Sequence, residues 1–123
     1  MNTQERQVNR DLVNLYYIHM GDAKFLRTLK AYSEGQGYGD EYARFVFANY
    51  YEKWEEDYFG EEGIAYYINS PVVDEDKEVI LDYQTFYQFL EEDCELYVQS
   101  HPADLETVND YLAKIKERYN IKN

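Results

Sequence analysis

The stretch KEVILDYQTFYQFLEEDCELYV, residues 77–98, decides the fold because it joins a short strand directly to a long helix. Its residues 78–81, Glu-Val-Ile-Leu, predict a strand. From Tyr83 onward, apolar and aromatic residues recur at steps of three and four, which predicts a helix with one buried face. That face consists of Tyr83, Phe86, Tyr87, Leu90, Cys94, Tyr97 and Val98. We therefore expect this strand–helix unit to lie at the centre of the core, with glutamine and glutamate on the outside.

Two further apolar runs predict strands over residues 44–48 and 64–68. Pro71 closes the second run, because proline cannot donate a hydrogen bond to a neighbouring strand. An acidic loop at residues 74–77 then leads into the strand at 78–81, so we expect these two strands to pair as an antiparallel hairpin. The sequence therefore predicts a single α+β domain over residues 1–123, with a small antiparallel sheet of about three strands and helices packed on one side of it.

Helical spacing predicts two helices before the sheet and two after it, although residues 12–18 also fit a strand. Residues 1–7 are polar and are expected to be frayed. The first helix should end at Gly21, and Asp22 is expected to cap the second. The inward faces are predicted as Val8, Leu12, Leu15 and His19 in the first helix, and Phe25, Leu26, Leu29 and Tyr32 in the second. The last helix is expected to start at Pro102 and to carry a seam of Leu105, Val108, Leu112, Ile115 and Tyr119.

The chain is strongly acidic and rich in tyrosine. It has 12 basic and 25 acidic side chains among 123 residues, a formal net charge of −13, and 15 tyrosines. Because the aromatic residues supply a core, this composition predicts a folded acidic domain and not a disordered segment. A field of this sign repels nucleic acid and anionic membranes and attracts basic proteins, although acidity that serves solubility alone is the alternative.

The beginning of the sequence has no apolar run typical of a signal peptide. No stretch approaches the roughly 18 apolar residues that a membrane span requires. A single cysteine excludes an internal disulfide and fits a reducing compartment. These features predict a cytoplasmic protein.

The sequence contains no recognisable arrangement for catalysis, for a metal or for a cofactor. The two histidines, His19 and His101, have no cysteine or histidine at ligand spacing, which argues against a zinc site. Cys94 has acidic neighbours that are expected to raise the pKa of its thiol, so a nucleophilic role is disfavoured. The glycine-rich run at residues 35–39 lacks the preceding strand and the GK[ST] of a phosphate loop. The acidic loop at 74–77 lacks the glycine that a calcium loop needs at its sixth position.

The segment of residues 49–62 is the most suggestive of function, and its spacing fits either a short helix or a structured loop. Exposed aromatic rings flanked by carboxylates make a good protein-binding surface. The alternative, which we favour for the rings themselves, is that they belong to the core and that the charges are merely solvated. The candidate partner-binding residues are Glu55, Glu56, Asp57, Tyr58, Glu61 and Glu62, with Asp74, Glu75 and Asp76 as a second acidic loop.

Three blocks carry a resemblance to a known family: EGIAYY at residues 62–67, EVILDYQTFYQFL at 78–90 and NDYLAKIKERY at 109–119. They are similar to small immunity proteins of bacterial contact-dependent growth inhibition systems, in particular those that protect against ribonuclease toxins. The second block is the most specific, and the likeness extends over residues 20–120, with residues 49–60 matching nothing in it. Since such proteins vary most where they meet the cognate toxin, the resemblance implies that this segment sets pairing specificity.

The resemblance implies a non-enzymatic protein that binds the toxin domain delivered by a neighbouring cell and blocks its active site. A ribonuclease holds RNA in a basic cleft, and an acidic protein can fill that cleft as a phosphate mimic. The expected partner is a cognate basic toxin domain, with no direct contact to nucleic acid or membrane. Two alternatives stay open: an acidic mimic that inhibits another nucleic-acid enzyme, and a small hydrolase or ligand-binding domain, which would need a concave pocket.

Overall fold

A computed structural model describes residues 1–122 of the chain. These residues form four α-helices and a four-stranded antiparallel sheet, so the predicted α+β class is confirmed. The helices are α1 (Thr3–Met20), α2 (Phe25–Glu34), α3 (Tyr83–Ser100) and α4 (Leu105–Arg118). The strands are β1 (Tyr38–Gly39), β2 (Ala43–Phe47), β3 (Ile64–Ile68) and β4 (Lys77–Leu81). Short 3-10 helices lie at Asp22–Lys24, Ala48–Tyr50 and Pro102–Asp104.

The sheet has the strand order β1-β2-β3-β4, and all neighbours are antiparallel. The predicted hairpin is confirmed, because Ile64 pairs with Leu81 and Ile68 pairs with Lys77. The predicted count of about three strands is one short, since β1 lies in the glycine-rich run. Gly39 has a φ of 141°, and a Cβ there would lie 2.5 Å from the Cα of Arg44. The close approach of β1 to β2 therefore depends on glycine, a signal that hydrophobic spacing does not carry.

All four helices lie on one face of the sheet. The core between them contains Phe45, Tyr66 and Val79 from the strands, together with Phe86 and Leu90 from α3. The predicted inner face of α3 is confirmed in its buried centre, and Asp82 caps the helix by accepting a hydrogen bond from the Thr85 amide. Buried residues on the other face of the sheet, such as Val46 and Ala65, lie outside this core.

The first helix departs from the sequence prediction. Residues 1–7 are not frayed: α1 begins at Thr3 because the Asn2 side chain accepts a hydrogen bond from the Glu5 amide at 2.8 Å. The buried residues of α1 are Val13, Tyr16 and Met20, which is a face rotated from the predicted one. Val8 is exposed and Leu12, Leu15 and His19 are partly buried. Val13, Tyr16 and Met20 also recur at steps of three and four, so the helical spacing fits two faces of α1 and the prediction chose the wrong one.

Two smaller expectations are also corrected. Asp22 does not cap α2 through its side chain; its Oδ2 lies 3.0 Å from the Nε2 of His101, which joins the start of α2 to the end of α3. The last helix does not start at Pro102, because a 3-10 turn over Pro102–Asp104 precedes it. Leu105, the first residue of α4, is exposed. Val108 and Ile115 form the buried part of the predicted seam.

Candidate partner-binding surface

The segment that follows β2 forms a structured loop and not a helix. After the 3-10 turn at Ala48–Tyr50, residues 51–63 cross to the start of β3 without regular structure. Within the loop, the Glu55 amide donates to the Glu52 carbonyl at 3.0 Å and the Tyr58 amide donates to the Glu55 carbonyl at 3.1 Å. The Glu55 carboxylate also accepts from the Glu52 amide at 2.6 Å. Consecutive turns therefore give this segment, the acidic loop of residues 51–63, a defined shape.

Two aromatic rings in this region project into solvent. Trp54 is 83% exposed and Tyr50 is 67% exposed, whereas Tyr51, Tyr58 and Phe59 are partly buried. The preference for buried rings is therefore wrong for Trp54 and Tyr50, and the candidate list missed both. The signal in the sequence was the pair of charged residues that flank the tryptophan. A large exposed ring costs hydrophobic free energy in the free protein and is typical of interface anchors.

The predicted carboxylates of this loop are not equivalent. Glu56, Asp57, Glu61 and Glu62 are exposed, and they form the set that a partner could reach. Glu55 is partly buried and holds the loop turn, so its role is structural as well as electrostatic. The Lys53 ammonium lies 3.5 Å from the Glu61 carboxylate, and both side chains are highly exposed. Such an exposed ion pair contributes little to stability, and the single lysine leaves the loop strongly negative.

The loop is fastened to the outer face of the sheet, on the side away from the helices. The hydroxyl groups of Tyr51 and Tyr67 lie 3.0 Å apart, and Phe59 lies beside Gly63. Tyr67 stands in a cross-strand row between Arg44 and Glu78, with the Arg44 guanidinium 4.5 Å from the centre of its ring. Burial, the Tyr51 hydrogen bond and the charges of Glu78 and Asp57 raise the pKa of the Tyr67 phenol well above its usual range. The acidic loop and the outer face of the sheet therefore form one continuous surface.

The structure does not bring the two acidic loops together. The loop at 51–63 lies where β3 begins, and the loop of Asp74, Glu75 and Asp76 lies where β3 ends and β4 begins. Four residue steps of about 3.3 Å along β3 put the two strand ends from which the loops extend roughly 13 Å apart. Asp76 accepts a hydrogen bond from the Ser70 amide at 2.8 Å, so it shapes its own loop. Asp74 and Glu75 are exposed.

A cleft of about 450 Å³ separates the acidic loop from the end of α4. Glu61 and Glu62 line one side, and Arg118 and Tyr83 are among the residues on the other. The Arg118 guanidinium packs where a Cβ on Gly35 would stand, and Gly35 has a φ of 70°. The cleft is open and carries mixed charge, so it borders the acidic surface and does not resemble a closed ligand pocket.

The remaining features of the described residues concern the thiol of Cys94, metal binding and membrane-spanning helices. Burial first, and then the charges of Asp93 and Glu91, raise the pKa of the Cys94 thiol to about 12. The upward shift of the thiol pKa was predicted from the acidic neighbours of Cys94, but burial is its main cause. Among residues 1–122, no three histidine, cysteine, aspartate or glutamate side chains are grouped so that they could hold a metal ion. None of the helices in this range has the length and apolar character needed to cross a membrane.

Comparison with known proteins adds one finding. A protein-family model described as "CDI immunity protein" matches residues 9–112, which covers most of the chain and all four strands. No curated protein and no solved structure gives a significant match. The matched range includes the acidic loop, the outer face of the sheet and the strand–helix unit at residues 77–98.

Proposed function

The chain belongs to the CDI immunity protein family, whose members act in contact-dependent growth inhibition, and we propose that it neutralises a cognate ribonuclease toxin by covering the toxin's basic RNA-binding site. The observation that carries this proposal is the exposed Trp54 within a fixed loop of exposed carboxylates. An aromatic anchor surrounded by negative charge is complementary to a basic surface that binds phosphates. The role is that of an inhibitor, without enzymatic chemistry of its own.

The proposed interface is centred on the outer face of the sheet. An interface of standard size buries about 800 Å² on each partner, which is wide enough to span two loops roughly 13 Å apart. Glu56, Asp57, Glu61 and Glu62 would meet the toxin at one end of the sheet, and Asp74 and Glu75 at the other. The sheet surface between them, with Tyr67 and the exposed Ile80, would form the middle. Glu55, Tyr58 and Asp76 would contribute mainly by holding these loops in shape.

The electrostatics of the whole chain support fast capture. A net charge of −13 on a small protein attracts a basic partner over a distance of about one Debye length or more. Steering of this kind raises the association rate, and the buried contacts then set the lifetime of the complex. We place this encounter in the cytoplasm of the cell that makes the protein, where an incoming ribonuclease toxin would find its RNA.

The direct test is co-purification with the protein encoded immediately upstream, at low and at high salt, with an assay of that protein's ribonuclease activity. We expect a complex without ribonuclease activity whose affinity falls as salt rises. Tight binding that is insensitive to salt would keep the inhibitory role and would reject acidic occlusion. A complex that retains full ribonuclease activity would reject inhibition.

The binding face is tested by charge reversal with a matched control. One variant carries Glu56→Lys, Asp57→Lys, Glu61→Lys and Glu62→Lys. The control carries Glu91→Lys, Glu95→Lys, Glu106→Lys and Glu117→Lys, which are exposed positions on α3 and α4 with the same total change of charge. We expect the first variant to lose at least 100-fold in toxin affinity and the control to lose far less. Equal losses would show that net charge alone matters and that this loop is not the site.

A further inference from the structure

A second concave surface lies on the helical side of the molecule, between α1 and α3. It is a groove of about 290 Å³, lined by residues of both helices and by the start of α2. Ile18 of α1 and Leu96 of α3 stand on its walls and are 67% and 60% exposed. The stacked rings of Phe25 and Tyr97, whose centres are 4.3 Å apart, also line it. A volume near the lower end of the range for ligand sites suits a single long side chain better than a cofactor.

A buried carboxyl group with free hydrogen-bonding capacity also lines this groove. The Asp93 side chain is only 6% exposed, and its Oδ1 accepts a hydrogen bond from the Arg10 Nη2 at 2.6 Å. Its Oδ2 is buried and has no hydrogen-bond partner among the described residues, and the same holds for the Nη1 of Arg10. A buried oxygen without a partner costs free energy, and a native protein usually satisfies such a group or uses it.

The charges around the groove favour a cation. Arg10 is shared between two carboxylates, because its Nε also lies 3.0 Å from the Glu92 carboxylate, so this trio has a formal charge of −1. Asp22 lines the groove as well, and its contact is with the imidazole of His101. Tyr97 cannot offer a ring face to the cation, since Phe25 covers one face and His101 stacks at 4.3 Å. The attraction must therefore come from the carboxylates.

We propose that this groove is a docking site for an arginine side chain of a protein partner, with aliphatic neighbours of that arginine resting on Ile18 and Leu96. The guanidinium is the suitable cation because it is planar, carries several donors and is more weakly hydrated than an ammonium group. It would donate to the exposed Asp22 and, once the groove wall moves aside, to the buried Asp93 Oδ2, while its stem lies along the apolar walls. This site is separate from the acidic loop and does not depend on the identity of the toxin.

The test uses two short peptides and the full chain. Acetyl-Leu-Arg-Leu-amide is the probe, and the matched control replaces arginine by citrulline, which has nearly the same shape without the charge. Binding is followed by NMR through the amide signals of Ile18, Leu96 and Ser100. We expect saturable shifts with the arginine peptide and at least tenfold weaker binding of the citrulline peptide. No saturable shift, or equal affinity of both peptides, would overturn the proposal.

Variants then separate the groove from general surface effects. Asp93→Asn tests the buried carboxyl group directly, but it also removes one of the two negative charges that pair with Arg10. Asp22→Asn and Leu96→Ser are safer, because both side chains are largely exposed. Each should lower the affinity for the arginine peptide at least threefold. Asp110→Asn and Leu105→Ser, which change exposed residues on α4, should leave that affinity unchanged. Equal effects of both pairs of variants would place the binding elsewhere.

Discussion

The hydroxyl groups of Tyr51 and Tyr67 lie 3.0 Å apart and join the acidic loop to the outer face of the sheet. Tyr51 follows the 3-10 turn after β2, and Tyr67 lies in β3, so this bond ties the start of the loop to the strand that follows it. The contact explains how a segment without regular structure can present Trp54 in a fixed position. A binding loop that is already ordered loses less conformational entropy when it meets its partner.

Removing this hydroxyl contact should loosen the loop without unfolding the protein. We expect Tyr51→Phe to lower the free energy of unfolding by about 1 kcal/mol, the usual value of a hydrogen bond between partly buried groups. Amide hydrogen exchange at Tyr58, whose amide bonds to Glu55 within the loop, should become faster. Tyr50→Phe is the control, since that ring is exposed one position away. Unchanged exchange in Tyr51→Phe would show that the hydroxyl contact does not hold the loop.

Trp54 should matter for binding and not for stability. The ring contacts mainly solvent in the free protein, so Trp54→Ala should change the free energy of unfolding by less than about 0.5 kcal/mol. If the ring is an interface anchor, the same change should weaken toxin binding by about 2 kcal/mol or more, roughly a 30-fold rise in Kd. Calorimetric titration measures the second quantity. Leu105→Ala, an exposed apolar residue at the start of α4, serves as the control that should leave affinity unchanged.

The two acidic loops should contribute to affinity independently. We expect Asp74→Lys with Glu75→Lys to weaken the toxin complex, and Glu61→Lys with Glu62→Lys to weaken it more strongly. The loops extend from opposite ends of β3, roughly 13 Å apart and beyond the Debye length at physiological salt, so the combined variant should show the sum of the two effects within about 0.5 kcal/mol. A double-mutant cycle on toxin affinity measures this. No effect of the first pair would mean that the interface does not extend to the second loop.

Much of the fold could be predicted from local patterns. The strand at 64–68 was placed to the residue, and α3 begins at Tyr83 as predicted, because hydrophobic periodicity is a local signal. Strand β1 was missed because it depends on the tight approach of Gly39 to β2. Tertiary contact decided that element, and no window of the sequence reports it.

The candidate surface was harder to predict from the sequence than the fold. The carboxylates of the two loops stay predicted partner-binding residues, but exposure depends on how the loop packs, so the exposed Trp54 was left out and Glu55 proved to be partly buried in a loop turn. Asp93 reads as one of a run of acidic residues on α3, yet it is buried because Arg10, more than 80 positions earlier, pairs with it. A pairing between distant segments leaves no trace in composition or spacing.

Gly39 offers a test of the unpredicted strand. Gly39→Ala should be strongly destabilising, because a Cβ there would overlap the Ala43 carbonyl oxygen and crowd the Arg44 backbone, and neither is a flexible group. Gly21→Ala is the matched control: Gly21 also has a positive φ, of 79°, but a Cβ there has no neighbour within 4 Å. Chemical unfolding should show that the Gly39 variant loses at least about 2 kcal/mol more than the Gly21 variant. Equal losses would mean that backbone conformation alone, and not close packing of β1, makes glycine necessary.

Asp93 should make stability fall as the pH rises through the mildly acidic range. Burial raises its pKa from 3.8 to about 6, while the hydrogen bond and charge of Arg10 oppose that shift. A raised pKa means that folding favours the protonated carboxyl group. The stabilisation is therefore complete below about pH 4 and is lost as the pH rises through about 6, with a limit of about 3 kcal/mol. Other carboxylates also titrate in this range, so the wild type must be compared with Asp93→Asn, which cannot ionise.

The measured quantity is the difference in free energy of unfolding between the wild type and Asp93→Asn, from urea curves at steps between pH 4 and pH 7.5. We expect the wild type to lose stability relative to the variant across this interval, with most of the change before pH 6.5. A constant difference would show that Asp93 titrates alike in the folded and unfolded chains. A change of the opposite sign would show that the 2.6 Å contact with Arg10 outweighs desolvation, in which case Asp93 is a stabilising ion-pair member and its carboxylate is already satisfied.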